Sequence, residues 1–254
     1  MIPENILTLQ QQDATLRSQS LELIDADPAM GDHLSAVEAA MKAIFDHVVD
    51  RPEHEADELT LKGLGIRLFN DLAAGLGEGL AGYYQRAFDA VRDMLELQFL
   101  FDDFSEDRAM VSRWATAGRR DREKEFGPFH VRLRLDARYG HTEERRREHY
   151  QRLSSYASHP SPEGFRLVAP DGLGVLGGFV HERTLHALLE EMARHGLGTT
   201  VNFTSLLPAR SKEEKLAKAQ FVSRAGKWLE TYMPGAVAEV FDEGTGAAGG
   251  GGEG

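Results

Sequence analysis

The stretch YYQRAFDAVRDMLELQFLFDDF, residues Tyr83–Phe104, decides the fold. Its second half carries Met94, Leu95, Leu97, Phe99, Leu100, Phe101 and Phe104, apolar nearly all round at helical spacing. A helix of that kind is surrounded by other elements, so the stretch predicts the central helix of a bundle. Arg92 and Glu96 stand four apart and pair on one face. Such a pair serves either a site or the core; a core ion pair that fixes helix register is the commoner use. The most apolar run, Met94–Phe101, is too short and too interrupted to span a bilayer, so no membrane partner is expected.

Toward the N-terminus, Ile6–Ile24 reads as a weakly amphipathic helix. Asp27-Pro28 is a helix start, a capping side chain followed by proline at the first helical position. Leu34, Val37, Ala40, Met41, Ile44, Phe45 and Val48 form the apolar face of the helix that follows, ended by Arg51-Pro52. Leu59–Leu80 is apolar but rich in glycine. Gly75-x-Gly77-x-Gly79 lacks the strand and the Lys-Ser/Thr ending of a phosphate loop, so close helix approach or a helix break explains it better.

Toward the C-terminus, helix resumes after Ser105 to Gly118, and Gly127-Pro128 breaks the charged stretch that follows. Phe165–Phe179, centred on Pro170-Asp171-Gly172, predicts a small β-hairpin. Phe179–His195 reads as an amphipathic helix capped by Gly196. Its His181 and His186 are five apart and point about 140° from each other, so no zinc is expected there. Val201–Leu207 reads as a short apolar element and Ser211–Tyr232 as a final helix. The glycine-rich end has nothing to bury and should be disordered. The fold expected is therefore mainly α: a bundle of about eight helices with one hairpin near 165–179. It divides into an N-terminal helical appendage (1–58), a helical domain (59–235) and a tail (236–254).

One further stretch carries chemistry: TEERRREHYQRLSSYASHPSPEG, Thr142–Gly164. On a wheel of 3.6 residues per turn, Tyr150, Leu153, Ser154 and Ala157 share a packing side. Arg145, His149, Arg152, Tyr156 and His159 share the other. Pro160 and Pro162 stop the helix, placing His159 at or just past its end, where the dipole favours imidazolium. A guanidinium that holds phosphate beside an imidazole that exchanges protons near neutral pH suffices for metal-free cleavage of RNA by its own 2′-hydroxyl. Spacing alone favours an ordinary solvated face, since Arg and His share helix faces in many proteins.

The stretch resembles the HEPN superfamily of small all-helical domains. Members with RNase activity carry an Arg, a short spacer and a His near a helix end, the form of Arg152-Leu-Ser-Ser-Tyr-Ala-Ser-His159. Tyr150-x-x-Leu153-Ser154-x-Tyr156-x-x-His159-Pro160, and Arg92-x-x-x-Glu96 followed by Trp114, are similar to a bacterial family of HEPN-related proteins. The resemblance spans roughly residues 61–189. It implies a metal-independent endoribonuclease of a defence or toxin–antitoxin type, working as a homodimer. His159 would be the general acid/base and Arg152 the phosphate anchor, supported by Arg145, His149 and Tyr156. Leu153 stands where active members often carry a polar residue. A non-catalytic binding or regulatory module, such as a toxin-neutralising protein partner, is the alternative.

Composition bounds both readings. The 254 residues suffice for a substantial core, and the absence of cysteine excludes disulfides, thiolate metal sites and cysteine nucleophiles. No basic start precedes an apolar run, so no signal peptide is expected, and a cytoplasmic protein is the default. Net charge is −12, but it is uneven. Residues 1–107 hold 7 Lys and Arg against 22 Asp and Glu; residues 108–152 hold 13 against 7; residues 153–254 hold 9 against 12. The single basic region, 108–152, is where RNA would bind, unless Glu143, Glu144 and Glu148 tie its arginines into a salt-bridged face. His130, His141, His149 and His159 surround it at no common metal-ligand spacing, so neither metal nor cofactor is expected.

Overall fold

A computed structural model describes residues 2–49, 56–142, 144–169 and 172–234. Among them all regular structure is helical. Residues up to Pro208 form one compact unit, and those from Ala209 form a second. The expected tail, 236–254, and the Arg51-Pro52 stop lie outside the described residues.

In the first unit the helices are α1 (Glu4–Ala26), α2 (Pro28–Val48), α3 (Ala56–Leu80), α4 (Tyr84–Glu106), α5 (Ala109–Thr116), α6 (Arg119–Phe126), α7 (Pro128–Arg138), α8 (Arg145–Leu153) and α9 (Glu182–Ser205). A π-helical turn, Ser154–Ser158, prolongs α8, and a 3-10 turn covers Glu163–Leu167. The second unit holds α10 (Lys212–Tyr232), started by Ser211, whose hydroxyl accepts from the Glu214 amide at 3.0 Å.

The expected central helix is α4. Tyr84, Met94, Phe101 and Phe104 on it are fully enclosed, and it packs against α3, α7, α8, α9 and the π turn. Burying each such side chain contributes roughly 1.5–3 kcal/mol. α2 lies along α9, and Val37, Ala40 and Ile44 of α2 are core residues. Asp27 caps α2 as expected, accepting from Ala29 at 2.8 Å ahead of Pro28 at the first turn. The glycine-rich stretch is an unbroken helix. A methyl group at Gly65 would overlap the Phe203 ring, and one at Gly79 the Leu188 side chain, whereas Gly77 faces open space. Close approach of α3 to α9 is therefore what those glycines permit.

Two expectations fail. No strand forms among the described residues of 165–179. The Gly172 amide does close a turn on Ala169 at 3.1 Å, but only Val175 to Val168, at 3.0 Å, continues a ladder. Leu173 and Leu176 are 80% and 99% exposed. An isolated two-stranded ribbon with no apolar face against the core is marginal, and four glycines weaken this one further. Nor does Gly196 end α9, which runs on through Val201 to Ser205. Gly196 is buried against Leu72, where a Cβ would come within 2.9 Å. It serves close packing, and the buried Thr199, Thr200 and Phe203 beyond it keep the helix in the core. The expected apolar element at 201–207 is mostly the last turn of α9.

Candidate functional site

The end of α8 meets α4 and α9, and three side chains there share a small space. His149 of α8 and His195 of α9 bring their Nε2 atoms to 2.9 Å. Glu191, one turn before His195 on α9, places Oε2 3.3 Å from His195 Nε2 and 3.7 Å from His149 Nε2. Spacing explains the α9 half, because residues four apart share a helix face. α8 reaches them because it is anchored on α4. The Tyr150 hydroxyl donates to Glu96 Oε1 at 2.7 Å and accepts from Arg92 Nη2 at 2.9 Å, within the Arg92–Glu96 pair itself. Leu153, Ser154 and Ala157 are buried beside it.

The proton positions in this cluster follow from one fact: a guanidinium only donates. Arg152 Nη2 donates to His149 Nδ1 at 2.9 Å. The neutral His149 ring then carries its proton on Nε2 and gives it to His195 Nε2. That ring in turn carries its proton on Nδ1, which donates to Gln98 Oε1 at 3.1 Å. The chain is complete, yet Glu191 Oε2 is left out. It is buried and has no hydrogen-bond partner.

Burial, then the neighbouring ring, push the His149 imidazole down to about 4. His195, wholly enclosed, is likewise lowered, first by burial. Burial alone would raise the Glu191 carboxyl; a hydrogen bond from His195, and positive charge on His195, His149 and Arg194, lower it to about 2 whenever the rings take up a proton. At neutral pH the cluster is two neutral imidazoles facing one carboxylate, the protonation state in which these side chains bind a metal ion. Tetrahedral bonds of about 2.0–2.2 Å would set ligand atoms about 3.4 Å apart, and the observed 2.9, 3.3 and 3.7 Å bracket that. Gln98 on His195 Nδ1 is the outer partner that fixes a ligating ring. Arg152, 57% exposed, stands 3.8 Å from Glu191 Oε1, and Arg194 stands 4.0 Å from Oε2.

The expected residues are thus partly regrouped. Arg152 and His149 belong together, but His149 is enclosed rather than on a solvated face. His159 is exposed at the end of the π turn, and no hydrogen bond or ion pair links its ring with Arg152. The π turn is the cause. Its His159-to-Ser154 backbone bond, 3.0 Å, spans five residues instead of four, which turns everything after it by about 100° from an α-helical wheel. Tyr156 sits half-buried within that turn, and Arg145 is exposed at the start of α8. Sequence reasoning passed over Glu191, His195 and Gln98. Glu191-x-x-x-His195 was the visible signal.

In the basic region the arginines are largely spoken for. Arg134 and Arg138 reach Asp103 on α4, Arg146 reaches Asp136 at 2.8 Å, and Arg147 reaches Glu144 at 2.7 Å. Arg108 pairs with Asp57 and Arg113 with Glu125. His181 turns to Thr184 at 2.7 Å. Among the described residues no helix is long and apolar enough to cross a membrane. No family model, curated protein or solved structure matches the chain.

Proposed function

We propose that the protein binds a divalent metal ion through His149, Glu191 and His195 and uses it to hold a phosphate group. The reading rests on one observation: a buried carboxylate oxygen without a donor, set between two imidazole nitrogens at metal-ligand separations. Three protein ligands leave a coordination position open for a water or a phosphate oxygen. Arg152 and Arg194, both within 4.0 Å of Glu191, supply the cationic partners for the remaining oxygens. Such an ion polarises a phosphoryl group or generates hydroxide near neutral pH. RNA is the phosphate-bearing substrate that the HEPN resemblance suggests.

The metal-independent endoribonuclease keeps one supporting observation, the exposed Arg152 guanidinium 2.9 Å from an imidazole. RNA cleavage separates the two. Purified protein stripped with EDTA should be inactive and regain activity with Zn²⁺ or Mn²⁺, and Glu191→Gln should abolish it. Cleavage that persists in EDTA and is lost in His159→Ala would overturn the metal reading. If no zinc binds the stripped protein at all, the site is a hydrogen-bond cluster only.

A further inference from the structure

We infer that His33, His186 and Glu190 form a second divalent transition-metal site, separate from the first, on another face of α9. The ligand atoms of these three side chains all lie within 4.8 Å of one another. The geometry repeats the logic of the first cluster. His186 and Glu190 are four apart on α9, and the third ligand comes from a different helix, here α2. Five residues separate each α9 pair from the other. That places the two sites about 7.5 Å apart along the axis and about 140° around it, too far to share a ligand.

Two observations support a cation rather than an idle polar patch. His33 has none of its surface exposed, so a polar ring is held at the α2–α9 contact with its charged form disfavoured. The His33 and His186 rings meet edge to face at 5.3 Å, and a nitrogen of each lies within 4.8 Å of the other and of a Glu190 carboxylate oxygen. The carboxylates acting on His33 are Asp27 and Asp32, while Arg183 and Arg194 stand about one turn from His186 and Glu190 on α9. Two imidazoles and a carboxylate suit Zn²⁺, Co²⁺ or Ni²⁺ over Mg²⁺ or Ca²⁺. With its ligands on α2 and α9, the site would tie those two helices together.

The test is metal stoichiometry on the full chain, stripped and then titrated with Zn²⁺, read by calorimetry and native mass spectrometry. Wild type should take two equivalents. Glu190→Gln and His186→Asn, both at half-buried positions, should each take one and keep a wild-type helical spectrum. Glu191→Gln should also take one, but the other one, so the Glu190→Gln/Glu191→Gln double variant should take none. Two equivalents retained in both Glu190→Gln and His186→Asn overturn the inference. So does a single wild-type equivalent that Glu191→Gln removes. A single equivalent lost with Glu190→Gln and kept in Glu191→Gln would uphold this site and refute the first.

Discussion

Asp71 on α3 sets a quantitative demand on the structure. Its Oδ2 is buried without a hydrogen-bond partner. Arg67 Nε stands 3.9 Å off, while the same guanidinium makes its closer contact, 3.1 Å, with Asp93. Burial first, then the Asp93 charge, raise the Asp71 carboxyl from 3.8 to about 6. The folded value lies above the unfolded one, so the cost is absent below pH 3.8 and is fully present once pH has risen through 6. At about 1.4 kcal/mol per pH unit, the ionised carboxylate costs the folded state about 2–3 kcal/mol at neutral pH. Asp71→Asn keeps the shape and removes the charge. It should therefore stabilise the protein by about 2–3 kcal/mol at pH 7.5, roughly 4–10 °C in Tm, and by little at pH 4. Thermal and urea unfolding of both proteins at the two pH values measures the difference. An Asn variant less stable at pH 7.5, or a gap independent of pH, would show that Arg67 compensates the carboxylate after all.

Tyr150→Phe removes the hydroxyl joining α8 to Arg92 and Glu96, and should lower stability by about 1–2 kcal/mol in urea unfolding; no change would mean that water replaces it. Gly79→Ala should cost about 1–3 kcal/mol by forcing Leu188 aside, whereas Gly77→Ala, into open space, should gain about 0.5–1 kcal/mol; equal effects would refute the packing of α3 on α9. Glu191→Gln should lower the stability of the stripped protein at neutral pH, since the Glu191 carboxyl is held below its ordinary value in the folded state and an amide cannot replace its charge. It should also remove this site's share of the Zn²⁺ stabilisation, about 2.7 kcal/mol at a hundred times the site's Kd, read by scanning calorimetry.

How far the chain could be read from its letters follows from what each reading assumed. Tyr83–Phe104 was legible because an all-round apolar helix has one home, the middle of a bundle, and Asp27-Pro28 because capping is local. Phe129–Tyr139 gave no reading, yet Pro128 at its first turn and the buried Val131 and Leu135 make it α7. Gly196 misled because a glycine that ends a helix and one that admits a neighbour look alike in sequence; only Leu72, far away in the chain, distinguishes them. The hairpin misled because turn chemistry fixes a turn and not a ladder. Arg152 and His149 were found by composition and face. Their pairing with each other instead of with His159 depended on a five-residue turn that a 3.6-residue wheel excludes. The Glu191–His195 pair was legible in spacing but hidden among the carboxylates of a helix read for its apolar face.

The two readings of the α8–α9 site are more than competing labels, because they demand different protons on one ring. Arg152 can donate to His149 Nδ1 only while His149 carries its proton on Nε2. A metal ion at that Nε2 requires the proton on Nδ1, which then faces a guanidinium that has nothing to accept it. The ion and the Arg152–His149 bond therefore exclude each other. Loading the site would release Arg152, which is 57% exposed and so can meet a phosphate. Arg152 is thus held in reserve by the metal-free cluster and freed by the ion. A phosphate group should bind the loaded protein more tightly than the stripped one, and Arg152→Lys, unable to make the same fork, should narrow that difference. The π turn has a place in the same account: by swinging His159 away, it leaves His149 as the imidazole that Arg152 meets.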